Sequence, residues 1–142
     1  MKHPKTLLIL LFVTALLLTA CAPAGEPVLK TTGNVASETR WTDAQLQKME
    51  LVSADYTDKE GVTTTYTGVP ILALLEEAGM KDGATAVVFV ASDGFTSEVT
   101  LDELKGCANC IVAFNDDGTL RIVMPGFSGK QQVKGVIELQ VK

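Results

Sequence analysis

Tyr66-Thr67-Gly68-Val69-Pro70-Ile71-Leu72-Ala73-Leu74-Leu75-Glu76-Glu77-Ala78-Gly79 carries the change from strand to helix on which the fold turns. Residues 62–67 are rich in threonine and β-branched side chains, which suit a half-buried strand. Pro70 then closes the strand, and proline is welcome in a first helical turn because its missing N–H would have no partner there. Ile71, Leu72, Leu74, Leu75 and Ala78 form the apolar stripe of a buried helix, and Gly79 ends it. Upstream, residues 50–55 and 62–67 flank Asp58-Lys59-Glu60-Gly61, a polar turn, and read as neighbouring strands. Before them Trp41-Thr42-Asp43-Ala44-Gln45-Leu46 predicts a short helix, with Thr42 as N-cap and Gln45 closing a capping box. Downstream, residues 84–91 are almost unbroken apolar and predict a central strand buried on both faces. Ser92-Asp93-Gly94 forces a turn into a strand at 95–99, and Thr100 caps a short helix at 101–104. Residues 111–114 and 120–124 are joined by Asn115-Asp116-Asp117-Gly118-Thr119, a hairpin signal, and residues 133–141 supply a last strand. The class is α+β: a single compact domain with a mostly antiparallel or mixed sheet and two or three short helices.

The first twenty residues have a different character. A basic start, Met1-Lys2-His3-Pro4-Lys5, precedes an apolar run over residues 7–18, shorter than the ~20 residues a bilayer span needs. It ends in Leu18-Thr19-Ala20-Cys21, which resembles the bacterial lipobox. Residues 1–20 are therefore expected to be an export signal, with Cys21 lipidated, residues 21–34 acting as tether with an opening strand near 28–31, and residues 35–142 forming the domain. Loss of Lys2 and Lys5 takes the basic residues from 12 to 10 against 17 acidic ones, and the net charge from −5 to −7. An acidic surface repels nucleic-acid phosphates and anionic lipid, so no nucleic-acid partner is expected and the membrane is reached through the lipid. His3 is the only histidine and leaves with the signal, removing the usual general base and commonest metal ligand from the mature chain.

The order of the pieces resembles a known family. The segment quoted above, then Ser92-Asp93-Gly94-Phe95, Leu101-Asp102-Glu103-Leu104, and Val123-Met124-Pro125-Gly126 with Lys130 and Val133-Lys134-Gly135-Val136-Ile137-Glu138-Leu139, is similar to the molybdopterin-binding domain of sulfite-oxidase-type oxidoreductases. The resemblance covers roughly residues 33–142. It implies a glycine- and lysine-bearing closing segment beside the cofactor phosphate, and a cysteine ahead of the Gly-Val-Pro helix whose thiolate ligates molybdenum. The matching stretch here, Leu51-Val52-Ser53-Ala54-Asp55-Tyr56, has no cysteine and no soft sulfur to offer. Arginines for an oxyanion are scarce, since only Arg40 and Arg121 are present. No catalytic residues are assigned. The candidate binding residues are Lys130 and Lys134, with Gly126 and Gly129 letting backbone N–H groups approach an anion, and Asp93 at the end of a buried strand. Lysines after a Pro-Gly turn also serve as plain solvated loop charges, and Asp before Gly as a plain turn residue.

The remaining motifs carry less. Gly126-Phe127-Ser128-Gly129-Lys130 is not a nucleotide loop, because Met124 and Gln131 stand where a glycine and a hydroxyl are required. Trp41 and Phe95 are expected in the core. Glu76-Glu77, Asp102-Glu103 and Asp116-Asp117 are expected on solvated faces, since adjacent residues diverge. Cys107-Ala108-Asn109-Cys110 is an even pair in an oxidising compartment once Cys21 is lipidated, and a local disulfide is the leading reading. A redox-active pair would want a helix N-terminus, whereas Cys110 leads into an apolar strand. The expectation is a lipid-anchored, extracytoplasmic and non-catalytic binding domain for a small anionic ligand, such as a pterin, or for a protein partner. No metal or resident cofactor is expected. The alternatives are an oxidoreductase holding a molybdopterin-type cofactor without a cysteine ligand, a C-x-x-C thiol redox protein, and a structural or assembly subunit.

Overall fold

The computed structural model describes residues 25–142; the basic start, the apolar run and Cys21 lie outside the described residues. Nine strands and three short helices follow in the order β1 (Pro27–Gly33), β2 (Thr39–Thr42), α1 (Asp43–Leu46), β3 (Val52–Thr57), β4 (Thr63–Pro70), α2 (Ile71–Glu77), β5 (Ala86–Ala91), β6 (Thr96–Thr100), α3 (Leu101–Lys105), β7 (Ile111–Phe114), β8 (Leu120–Val123) and β9 (Val136–Val141). They build two sheets. One is five-stranded in the order β2-β1-β9-β5-β6, mixed because β1 and β9 run parallel. The other is four-stranded and antiparallel, β3-β4-β7-β8. One hydrophobic core takes side chains from both sheets and all three helices, including Leu29, Leu46, Val69, Leu74, Phe89, Leu104, Ile122 and Leu139.

The local signals act as their chemistry dictates. Thr42 caps α1 and Thr100 caps α3, each with a reciprocal bond from the residue three positions on. Pro70 sits at the N-cap of α2 and makes no side-chain cap; instead the carbonyl of Cys110 accepts the first helical amide, that of Ile71, at 3.0 Å. Cys110 itself is joined to Cys107 by a disulfide, so the turn between α3 and β7 is tied beside the start of α2. Trp41 is buried, and its Nε1 donates to the buried Thr31 hydroxyl at 3.0 Å.

Four expectations need adjustment. Strand β1 runs from Pro27 to Gly33 and lies between β2 and β9, so the folded unit includes residues that composition assigned to a tether. The central strand of the larger sheet is β9, with β5 beside it. That last strand begins at Val136 and not at Val133, because Gly135 adopts φ +64° and breaks the ladder. Phe95 is exposed, lying directly after the tight turn at Gly94, outside the core.

Candidate functional site

The four-stranded sheet has two faces with different tasks. Val69, Val112, Leu120 and Ile122 point into the main core, while the alternate residues Ala54, Ile111, Ala113 and Val123, with Val52, Tyr56 and Tyr66, form a second small cluster. Arg121 stands on this second face of β8, opposite Ala113 of β7, which is in turn opposite Gly68 of β4. These two smallest residues leave a lane across the sheet. Along it the Arg121 guanidinium reaches the tyrosines of β4 and β3, its Cζ lying 4.5 Å from the centroid of the Tyr66 ring and 4.8 Å from that of Tyr56. Both contacts are cation–π in kind, worth about 0.5–2 kcal/mol each. Nη1 donates to the Tyr66 hydroxyl at 2.7 Å.

The rest of the guanidinium is unpaired. Arg121 is 6% exposed, and its Nε and Nη2 are buried without a hydrogen-bond partner among the described residues. A buried donor left unmade costs on the order of 1–3 kcal/mol, more when charged, so two on one cation are a standing demand for an acceptor. Nη1 is the nitrogen cis to Cδ; Nε and Nη2 therefore share the opposite edge, where two N–H bonds run side by side. That edge belongs to a cleft of about 570 Å³ whose wall includes Tyr56, Tyr66, Phe127, Gly129 and Lys134. The β3–β4 turn closes one side with Asp58, Lys59 and Glu60. There Asp58 Oδ1 accepts from the amides of Glu60 and Val62, and Lys59 lies 3.6 Å from Glu60. The cations that no acidic side chain pairs are thus Arg121 and Lys134.

The residues singled out from sequence fall into two groups. Lys134 and Gly129 line the cleft, and Lys134 is bridged to Arg121 by backbone pairing. Lys130 is exposed on the 3₁₀ turn Gly129–Gln131 and is not part of the wall; Gly126 forms the turn after Met124 at φ +82°, with open space around it. Asp93 lies outside the cleft, because its Oδ1 accepts the Phe95 amide at 2.9 Å and so serves its own turn. The loop carrying Gly129 and Lys134 is held by Gln132, buried, whose amide donates to the Met124 carbonyl at 2.6 Å and accepts from the Met124 amide at 2.8 Å. Arg121 and Gln132 are what the sequence reading left out of the site. A signal existed: Arg121 is the one charge inside Leu120-Arg121-Ile122-Val123-Met124, and charged side chains are almost never fully buried unless they have a task.

Residues 37–142 match the family model described as the oxidoreductase molybdopterin binding domain. The chain belongs to this family. Among solved structures, the sulfane dehydrogenase SoxCD from Paracoccus pantotrophus shares the fold with a TM-score of 0.68 at 18% identity, over 80% of this chain and 37% of that one. This chain therefore spans little more than a third of that enzyme chain. No curated protein matches it in sequence.

The cofactor named by the family can be tested against the residues present. At its anionic end the fit is good, since Arg121 offers two unsatisfied donors in a cleft shared with Lys134. At a metal end it fails. Ser53 and Asp55 of β3 project to the sheet's exposed side, where they meet Thr67 and Thr65. The cleft side of β3 carries Ala54 and Tyr56 instead. Both cysteines of the described residues are spent in the disulfide, and no group of three His, Cys, Asp or Glu among them is placed to hold a metal.

Proposed function

We propose that this chain is an extracytoplasmic, lipid-anchored binding domain of the molybdopterin-binding family that takes a small anion and performs no molybdenum catalysis. The observation that carries the reading is the buried Arg121, whose Nε and Nη2 have no acceptor among the described residues and belong to the wall of the cleft. An anion arriving there satisfies two donors at once, so the desolvation of the guanidinium is already met by the fold and the ligand meets a preformed site. Lys134 adds a flexible second charge. The absence of a thiolate from the cleft side of β3 supports the non-catalytic part of the reading. Export and anchoring through Cys21 rest on the basic start, the apolar run and the Leu18-Thr19-Ala20-Cys21 ending.

Family membership favours a second reading, in which a molybdopterin-type cofactor is held without a cysteine ligand. Expression of the full chain in a host that makes the cofactor separates the two. Stoichiometric molybdenum on the purified protein would overturn the non-catalytic reading. The anion site itself is tested by titrating the protein with small anions while following heat or tyrosine fluorescence. Arg121→Gln is expected to lose at least about tenfold in affinity, one bidentate charge-assisted contact being worth more than ~1.4 kcal/mol. Lys134→Gln, an exposed change that spares the fold, should lose about two- to fivefold. Unchanged binding in both would sink the site. Cys21→Ser should move the chain from the membrane fraction to the soluble one.

A further inference from the structure

We infer that the cleft is built for a planar monoanion, a carboxylate, and selects against phosphate monoesters. This rests on the anion site proposed above and names its ligand class.

Shape is the first argument. The free edge of Arg121 presents two parallel N–H bonds in the guanidinium plane, which match the two oxygens of a carboxylate lying in that same plane. The plane is bounded by aromatic faces, with Tyr66 and Tyr56 centroids 4.5 and 4.8 Å from Cζ. Ring faces carry the negative part of the aromatic quadrupole. A coplanar carboxylate keeps both oxygens off those faces. A tetrahedral phosphate sends oxygens out of the plane, toward negative charge.

Charge is the second, independent argument. The cleft wall holds three cations, Lys59, Arg121 and Lys134, and two anions, Asp58 and Glu60. Lys59 is spent on Glu60 at 3.6 Å, and Asp58 remains close to the mouth against Arg121 and Lys134. One positive charge is left over, which a monoanion neutralises and a dianion overshoots. The excess would sit in a chain that is already net negative, at −5 over its whole length.

Benzoate and phenyl phosphate form a matched pair, with one ring and two headgroups. Calorimetric titration of the full chain at about pH 8, where the phosphate is dianionic, and at about 0.15 M salt to damp long-range effects, should give benzoate at least about fivefold tighter. Arg121→Lys keeps the charge and removes the fork, and is expected to lose about tenfold in benzoate affinity. If that variant does not fold, the Nε–H proton resonance of Arg121 in the unaltered chain replaces it: benzoate should shift it. Equal or tighter binding of phenyl phosphate would overturn the carboxylate assignment and leave the anion site standing. Failure of both ligands to bind would overturn the site as well. An unmoved Nε–H, or Arg121→Lys binding benzoate as the parent does, would show that the fork is not the recognition element.

Discussion

At Gly68 the backbone of β4 passes so close to β7 that an added Cβ would meet the Val112 carbonyl oxygen and lie 2.6 Å from the Ala113 Cα. The glycine is needed for this approach and, with Ala113, for the lane that Arg121 occupies. Gly68→Ala should therefore cost about 3 kcal/mol in urea unfolding, as overpacking against backbone that cannot yield does. A change below ~0.5 kcal/mol would show that the strands can part. Gly68 was legible as part of a strand-to-helix motif, but its partner strand lies more than forty residues on and only pairing brings the two together. Arg121 was visible as an odd charge in an apolar hairpin; its tyrosine partners were not, because Tyr56 and Tyr66 meet it through two intervening strand pairings. Lys134 and Gly129 were anticipated from a glycine- and lysine-bearing segment, and share the cleft with it. Asp93 illustrates the opposite outcome, since a local acceptor role satisfied it before any ligand could.

Elements succeeded where their signals were local. The capping boxes at Thr42 and Thr100, the stripe of α2 and the Asp-Gly hairpin all depend on residues within a few positions of each other. The disulfide between Cys107 and Cys110 is of the same kind. Its loop is so short that it restrains the unfolded chain little, and replacing both cysteines by serine should cost about 2 kcal/mol or less. Thermal unfolding checks this, and a loss above ~4 kcal/mol would mean the turn is organising α2 through the Cys110–Ile71 bond as well. The pairing of β1 with β9 carries a pH signature. Burial pushes the Glu138 carboxyl up, but the Thr32 hydroxyl at 2.6 Å and the Lys30 ammonium at 3.0 Å outweigh it and hold the group below its ordinary value of 4.5. A carboxylate with a depressed folded pKa stabilises fully above its unfolded pKa and loses that contribution as pH falls through the folded one. Glu138→Gln should thus be less stable than the parent at neutral pH, with the gap closing below about pH 4.5. A gap that widens on acidification would contradict the assignment.

The whole molecule is two sheets sharing one core, and its boundary was the hardest thing to see from composition. Residues 25–34 read as a polar tether with a short strand, yet β1 is hydrogen-bonded on both sides and carries Leu29 into the core. A chain beginning at Val35 would lose β1 and strand β2 without its partner, so it should lack cooperative unfolding by circular dichroism, whereas one beginning at Gly25 should fold. Equal transitions for the two would show that β1 is dispensable. The sequence by itself determined the α+β class, the helix starts, the hairpins and the family, because capping, periodicity and turn chemistry act over a few residues and survive without knowledge of neighbours. Only the tertiary structure decided which strand lies at the centre, where the fold begins, and that a lone arginine of β8 faces two tyrosines of β3 and β4. Strand order and buried charge are set by contacts between residues far apart in the chain, and those contacts leave no local trace.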